Sequence, residues 1–169
     1  TQGTWKGVYG SQGANVAADA NTLPAYASFS TNGTGPLTWT SSTADVRALQ
    51  KTSSSATDRV AATWYGTTFS VSLGLSDGLS HRVALYVLDW LARGRVQTVD
   101  VLDGATGAVL ASQTVSDFAG GKYLVFDVKG SVQFRFTTVA GPNAILSGLM
   151  LDPTPSAGFT PDLLGWLLH

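Results

Sequence analysis

An antiparallel β-sandwich is the fold class this sequence predicts, on three observations. From Arg59 onward, apolar residues recur at every second position in short runs separated by Gly-containing turns, the period of half-buried strands. No amphipathic helical period lies between those runs, and a parallel α/β sheet would require one. All eleven acidic residues are Asp and none is Glu; with abundant Ser, Thr and Gly, this composition disfavours helices and suits strands joined by turns.

The chain is organised around His81 to Trp90. Val83, Ala84, Leu85, Tyr86, Val87 and Leu88 are apolar on both alternating faces, which reads as a central strand covered on both sides. Asp77-Gly78 before it is a turn signal, and Arg93-Gly94-Arg95 after it breaks the run.

In chain order, Thr4 to Gly10 alternates apolar and aromatic residues and reads as a short strand. Residues 11–43 are loop-rich, with short strands at Ala25 to Phe29 and Leu37 to Thr40. Ala44 to Gln50 reads as a helical turn or an edge strand. Val60, Ala62 and Trp64 alternate with Ala61, Thr63 and Tyr65, so one of Trp64 and Tyr65 faces inward and the other outward. Phe69, Val71, Leu73 and Leu75 form an inward row. Val96 to Leu102 puts Val99 and Val101 inward with Gln97 on the same face, while Thr98 and Asp100 point away. Asp103 to Gly107 turns the chain into Ala108 to Val115 as a hairpin. Leu124, Phe126 and Val128 form another inward row, then Val132, Phe134 and Phe136, and Asn143 to Leu151 is the last strand. Roughly eight or nine strands result.

The end of the chain differs. Residues 1–152 make the sandwich domain, 153–159 a linker, and 160–169 an apolar tail. Thr160-Pro161-Asp162 is a helix start, with Thr as N-cap, Pro in the first turn and Asp against the dipole. Leu163, Leu164, Trp166, Leu167 and Leu168 follow. Such a segment is too short to fold alone, so it docks on its own domain or a neighbouring subunit, or begins a further domain.

Composition excludes several function classes. Of 169 residues 44% are hydrophobic and 12% charged, with a formal net charge of −1 and no charge run, so general nucleic-acid binding lacks its electrostatic basis. No apolar run reaches membrane-spanning length and no signal peptide is visible. The start at Thr1 without Met reads as a processed or excised product. Cysteine is absent, which rules out disulfides, thiolate metal sites and cysteine nucleophiles. A cysteine-free, Ser/Thr/Gly-rich, weakly charged chain suits a secreted or cell-surface bacterial protein and is compatible with the cytosol too.

Catalysis has few candidates. Of the two histidines, His81 beside a turn reads as a surface or capping residue and His169 is terminal; the Gly-x-Ser-x-Gly spacing at Gly74 to Gly78 lies between two strand runs, not on the strand-to-helix turn that a nucleophile elbow needs. A glycosidase pair would have to be two aspartates. Asp103 is a turn former, and Asp100 and Asp127 are outward strand positions; only Asp89, between Leu88 and Trp90, is unusual. The chain therefore reads as a non-enzyme.

Binding is better supplied. Carbohydrate sites stack aromatic rings on pyranose faces and add hydrogen bonds from polar side chains. The aromatics near strand ends or loops are Trp5, Tyr9, Trp39, Trp64, Tyr65 and Trp90. Trp90, with Asp89 before it and Arg93 and Arg95 after it, is the leading rim position. Arg47, Gln50 and Asn143 are polar candidates, Arg47 equally a buried ion-pair partner.

The segments TWKGVYG, VRALQK, DRVAATWYG, ALYVLDW, VDVLDGATGAVL and NAILSGLML, in this order, resemble a bacterial extracellular module of the galactose-binding-like, jelly-roll class. Modules of that class are appended to secreted glycoside hydrolases and surface proteins. The likeness runs from about Gly3 to Asp152 and leaves the tail out. It implies a jelly-roll sandwich and recognition of a glycan or surface polysaccharide, with no cofactor required. It also implies that a structural calcium could be held, for which Asp19, Asp45 and Asp58 lie in suitable loops, although no EF-hand spacing is present. The alternative is a self-assembling fibre or surface-layer subunit, a homo-oligomer or filament joined head to tail through the Leu163 to Leu168 segment.

Overall fold

A computed structural model describes residues 1–155, and every regular element among them is a β-strand. The predicted helical tail and most of the linker lie outside the described residues. All strand pairings are antiparallel.

One sheet contains β1 (Gly13–Val16), β13 (Gly148–Pro153), β7 (Ser80–Val87) and β10 (Lys122–Lys129), in that spatial order. The second runs β2 (Ala27–Thr31), β6 (Thr68–Leu75), β11 (Ser131–Ala140), β8 (Val96–Asp103) and β9 (Val109–Val115). A smaller sheet joins β12 (Ala144–Leu146), β5 (Arg59–Gly66) and β3 (Thr34–Thr43), with β4 (Leu49–Gln50) also on β5.

The two large sheets pack face to face through the predicted rows. Phe69, Val71, Leu73, Phe134, Phe136, Val99 and Val101 are buried on one inner face. Leu124, Phe126, Val83, Leu85, Leu149 and Leu151 are buried on the other, and Phe126 meets Phe134 across the gap with ring centroids 6.0 Å apart. Each such side chain contributes about 1.5–3 kcal/mol by leaving water. Outside the second sheet, Ser70, Ser72, Thr98, Asp100, Ser112, Gln133 and Arg135 face away from the core, with Arg135 paired to Asp100 at 2.7 Å, as alternation requires. Asp103 accepts the Ala105 and Thr106 N–H groups and shapes the β8–β9 turn as expected.

β7 is covered on both sides. Its Ala84 and Tyr86 point away from the sandwich interior and are still fully buried, because an N-terminal layer lies over that face. This layer replaces the predicted strand at Thr4 to Gly10. The Trp5 carbonyl accepts N–H groups from both Val8 (3.0 Å) and Tyr9 (2.8 Å), and Gly7 and Gly10 take φ of +83° and +75°. A run folded on itself in this way cannot extend as a strand, whatever its alternation. The first strand, β1, instead falls in the region read as loop.

Two further expectations are corrected, and the two readings of Ala44 to Gln50 are resolved. Asn143 to Leu151 is two strands rather than one: β12 pairs β5, then the Ser147 N–H bonds the Tyr86 carbonyl at 2.9 Å and the chain passes to β7 as β13. Ala44 to Gln50 is a turn capped by the Asp45 carboxylate, which accepts the Arg47 N–H at 2.9 Å, followed by the short β4. His81 is buried, not superficial: its ring nitrogens lie 2.8 Å from Asp77 Oδ2 and 2.9 Å from Gln12 Oε1, and Tyr26 stacks on the imidazole at 5.0 Å.

Candidate ligand-binding site

The N-terminal layer is fastened at three places. Gly3 donates to the Val46 carbonyl at 2.9 Å and accepts from Gln50 N–H at 3.0 Å. A Cβ at Gly3 would land on the Ala48 backbone, so only glycine allows this approach. Trp5 Nε1 donates to the Gln50 carbonyl at 2.8 Å, and the Gln50 side-chain oxygen accepts Lys6 N–H at 3.1 Å. Downstream, the Asp152 carboxylate accepts Gly10 N–H, Ser11 N–H and the Ser11 hydroxyl, each at 2.8 Å.

Between these anchors Tyr9 is left half-buried over β10. Its ring lies on Tyr123 with centroids 4.5 Å apart and a 34° tilt, and Tyr123 in turn meets Tyr86 at 4.6 Å. The register that sends Leu124, Phe126 and Val128 inward places Tyr123 on the opposite face. The two lower hydroxyls are consumed by the layer: Tyr123 donates to the Gln2 carbonyl and Tyr86 to the Arg47 carbonyl. Tyr9's hydroxyl has no hydrogen-bonding protein partner among the described residues. Burial raises the pKa of all three phenols. Asp152 adds to the rise at Tyr9, the neighbouring tyrosines add to it at Tyr123, and Arg47 works against it at Tyr86. All three rings are neutral at physiological pH.

A cleft of about 440 Å³ opens here, lined by Thr1, Gln2, Tyr9, Gly121 and Tyr123. A smaller one of about 230 Å³ lies beside it, lined by Trp5, Lys6, Val8, Tyr9, Ser11 and Asp152 among others. Tyr9 belongs to both. The lining offers an aromatic surface, a free phenol hydroxyl and the Gln2 and Thr1 polar groups, the ingredients of a site for a polyhydroxylated ligand with apolar ring faces.

The leading sequence candidates are placed elsewhere. Asp89 and Arg95 form no rim: they are 3% and 6% exposed and joined at 2.6 Å, with Arg95 Nε also donating to Asn143 Oδ1 at 3.1 Å. Burial alone would raise the Asp89 pKa. Hydrogen bonds from the Arg95 and Arg93 N–H groups and the Arg95 guanidinium outweigh it, and the carboxyl titrates below the usual range. A cleft of about 210 Å³ lies between this loop and Ser116 to Ala119. Three of its residues, Ala92, Gly94 and Asp117, have φ of +51°, +68° and +56°. Its aromatic residue, Phe118, is buried, so the cleft presents no stacking face.

Trp90 is half-buried, with the Arg47 guanidinium 4.6 Å over its ring, and Arg47 pairs with Asp45 at 2.8 Å. Its face is therefore taken. Arg93 is exposed. Trp5 and Trp64 are core residues, while Tyr65 and Trp39 on β5 and β3 are partly buried and packed against the core; Tyr65 sits opposite the fully buried Ile145, so the face expected to point outward is covered too. Sequence reasoning missed Tyr123, Gln2 and Gly121. Gly120-Gly121 ahead of an alternating strand was the available signal, since it marks a close backbone approach.

The loop aspartates considered for calcium are engaged by protein groups: Asp19 by Thr52 N–H and hydroxyl, Asp45 by Arg47, and Asp58 by Lys51 at 2.6 Å. Among the described residues no three His, Asp or Glu side chains gather at a point that could hold a metal ion. Nor is any helix there long and apolar enough to cross a membrane.

No protein-family model matches this chain, and no curated protein does. Three solved structures are similar in part. A CBM4 structure covers 57% of this chain and 68% of its own at 18% identity and a TM-score of 0.38. A family 35 carbohydrate binding module from Clostridium thermocellum covers 76% and 88% at 10% identity and 0.36. The enzymatically active domain of bacteriophage CBA120 tailspike protein 4 covers 75% and 19% at 12% identity and 0.32. At these values the residues of the cleft, not the neighbours, decide the functional reading.

Proposed function

We propose that this chain is a non-catalytic carbohydrate-binding module whose ligand lies on Tyr9, in the cleft it forms with Tyr123, Gln2 and Thr1. The observation that carries the reading is the half-buried Tyr9 ring, seated on Tyr123 at 4.5 Å and retaining a hydroxyl with no hydrogen-bonding partner among the described residues. A seated ring pays little ordering entropy when a sugar stacks on it. Non-catalytic action fits the aspartates: Asp89, the one unusual carboxylate, is occupied by Arg95 and two backbone N–H groups. The same reading carries a jelly-roll class and an extracellular setting, where glycans and surface polymers are met.

The test is calorimetric titration of the protein with a panel of neutral and acidic oligosaccharides, repeated with Tyr9→Ala and Trp90→Ala. Binding weakened about tenfold or more in Tyr9→Ala, as loss of a stacking ring and a hydroxyl predicts, and unchanged in Trp90→Ala, supports the site. Binding retained in Tyr9→Ala overturns it.

A further inference from the structure

We infer that the site takes a glycan chain of two or more residues, laid across Tyr9 so that one residue occupies each flanking cleft. This rests on the carbohydrate reading above and adds the length of the ligand.

The length follows from the position of Tyr9. It is the lining residue common to the clefts of about 440 and 230 Å³, so the two volumes meet at one residue. Sites for bound small molecules usually enclose about 300–1,000 Å³. The smaller cleft falls short of that range alone and is useful as an annex of the larger. Its wall is also kept open. Gly7 stands there at φ +83°, and a Cβ added to it would meet nothing within 4 Å. Val8, 56% exposed, offers an apolar edge next to it.

The experiment is calorimetric titration with gluco-, manno-, xylo- and galacto-oligosaccharides of one to four residues. The expected result is that, within at least one series, the disaccharide or trisaccharide binds ten times or more tighter than the monosaccharide. Val8→Ala should shrink the gain from lengthening, and Gln2→Ala should weaken every member. A monosaccharide that binds as tightly as its trisaccharide overturns the two-cleft inference while leaving the carbohydrate reading intact. If no member of any series binds, the carbohydrate reading itself fails.

Discussion

Arg95 donates to Asp89 at 2.6 Å with both side chains almost wholly withdrawn from solvent, and the Arg95 N–H bonds the same carboxylate at 3.1 Å. The pair closes the loop between β7 and β8 on itself. In sequence the two residues look like a polar fringe to Trp90; in the fold they are a buried staple. Removing one partner leaves an uncompensated buried charge, at a cost of about 3–5 kcal/mol. Asp89→Ala is therefore expected to lower the urea midpoint strongly without abolishing glycan binding in the protein that remains folded. An unchanged midpoint would show that water reaches the pair.

Gln97 makes a comparable contribution with no charge at all. Its fully buried amide donates to the Ile145 carbonyl and accepts the Ile145 N–H, both at 2.8 Å, pairing β12 as a backbone would. Gln97→Leu keeps the apolar volume but orphans both groups, each costing about 1–3 kcal/mol. Chemical denaturation should show the loss, and amide exchange at Ile145 should accelerate. A variant as stable as the parent would contradict this pairing.

Gly121 tests the floor of the cleft. It sits at φ +82°, and a Cβ there would land on the Tyr86 hydroxyl. Gly121→Ala combines left-handed strain with overpacking, a loss of about 1–3 kcal/mol or more. Because Gly121 lines the larger cleft, glycan affinity should fall as well. Gly78→Ala, also at positive φ but with open space around it, is the control for strain alone and should leave affinity untouched.

Acid should destabilise the fold through its aspartates. Hydrogen bonds from Arg47 hold Asp45 below the usual carboxyl range. At Asp100, burial is outweighed by Ser112 and Arg135; at Asp89, by Arg95 and Arg93. A carboxyl depressed in the folded state contributes its stability fully above the unfolded value of about 3.9 and loses it as the pH falls through the folded value. Stability from these groups should be flat above about pH 5 and decline below about pH 4. Denaturation midpoints at pH 3 and pH 6 measure this; equal midpoints would refute it.

Much of the fold was legible because period-two alternation is a local property. The rows at Phe69 to Leu75, Leu124 to Val128 and Val132 to Phe136 each lie inside one strand, and each faces inward as read. The outward Asp100 and Asp127 and the turn-forming Asp103 followed from the same local rules. The reading failed where alternation was coincidental. Trp5, Val8 and Tyr9 alternate loosely, yet glycines at positive φ fold them into a turn. The last strand changes partner at Ser147, which no local pattern records.

The site was far less legible. Trp90 drew attention through its charged neighbours, but Arg47, distant in sequence, covers its ring. Tyr9 became a platform only because Tyr123, more than a hundred residues away, lies beneath it. By itself, then, the sequence determined the strand faces, the all-β class and the absence of thiol chemistry, since these depend on side-chain period and residue inventory. Which aromatic ring stays open, which carboxylate is occupied and which strand changes sheet were decided by tertiary structure alone. Each of these depends on a hydrogen bond or ring contact between segments whose proximity the local pattern does not encode.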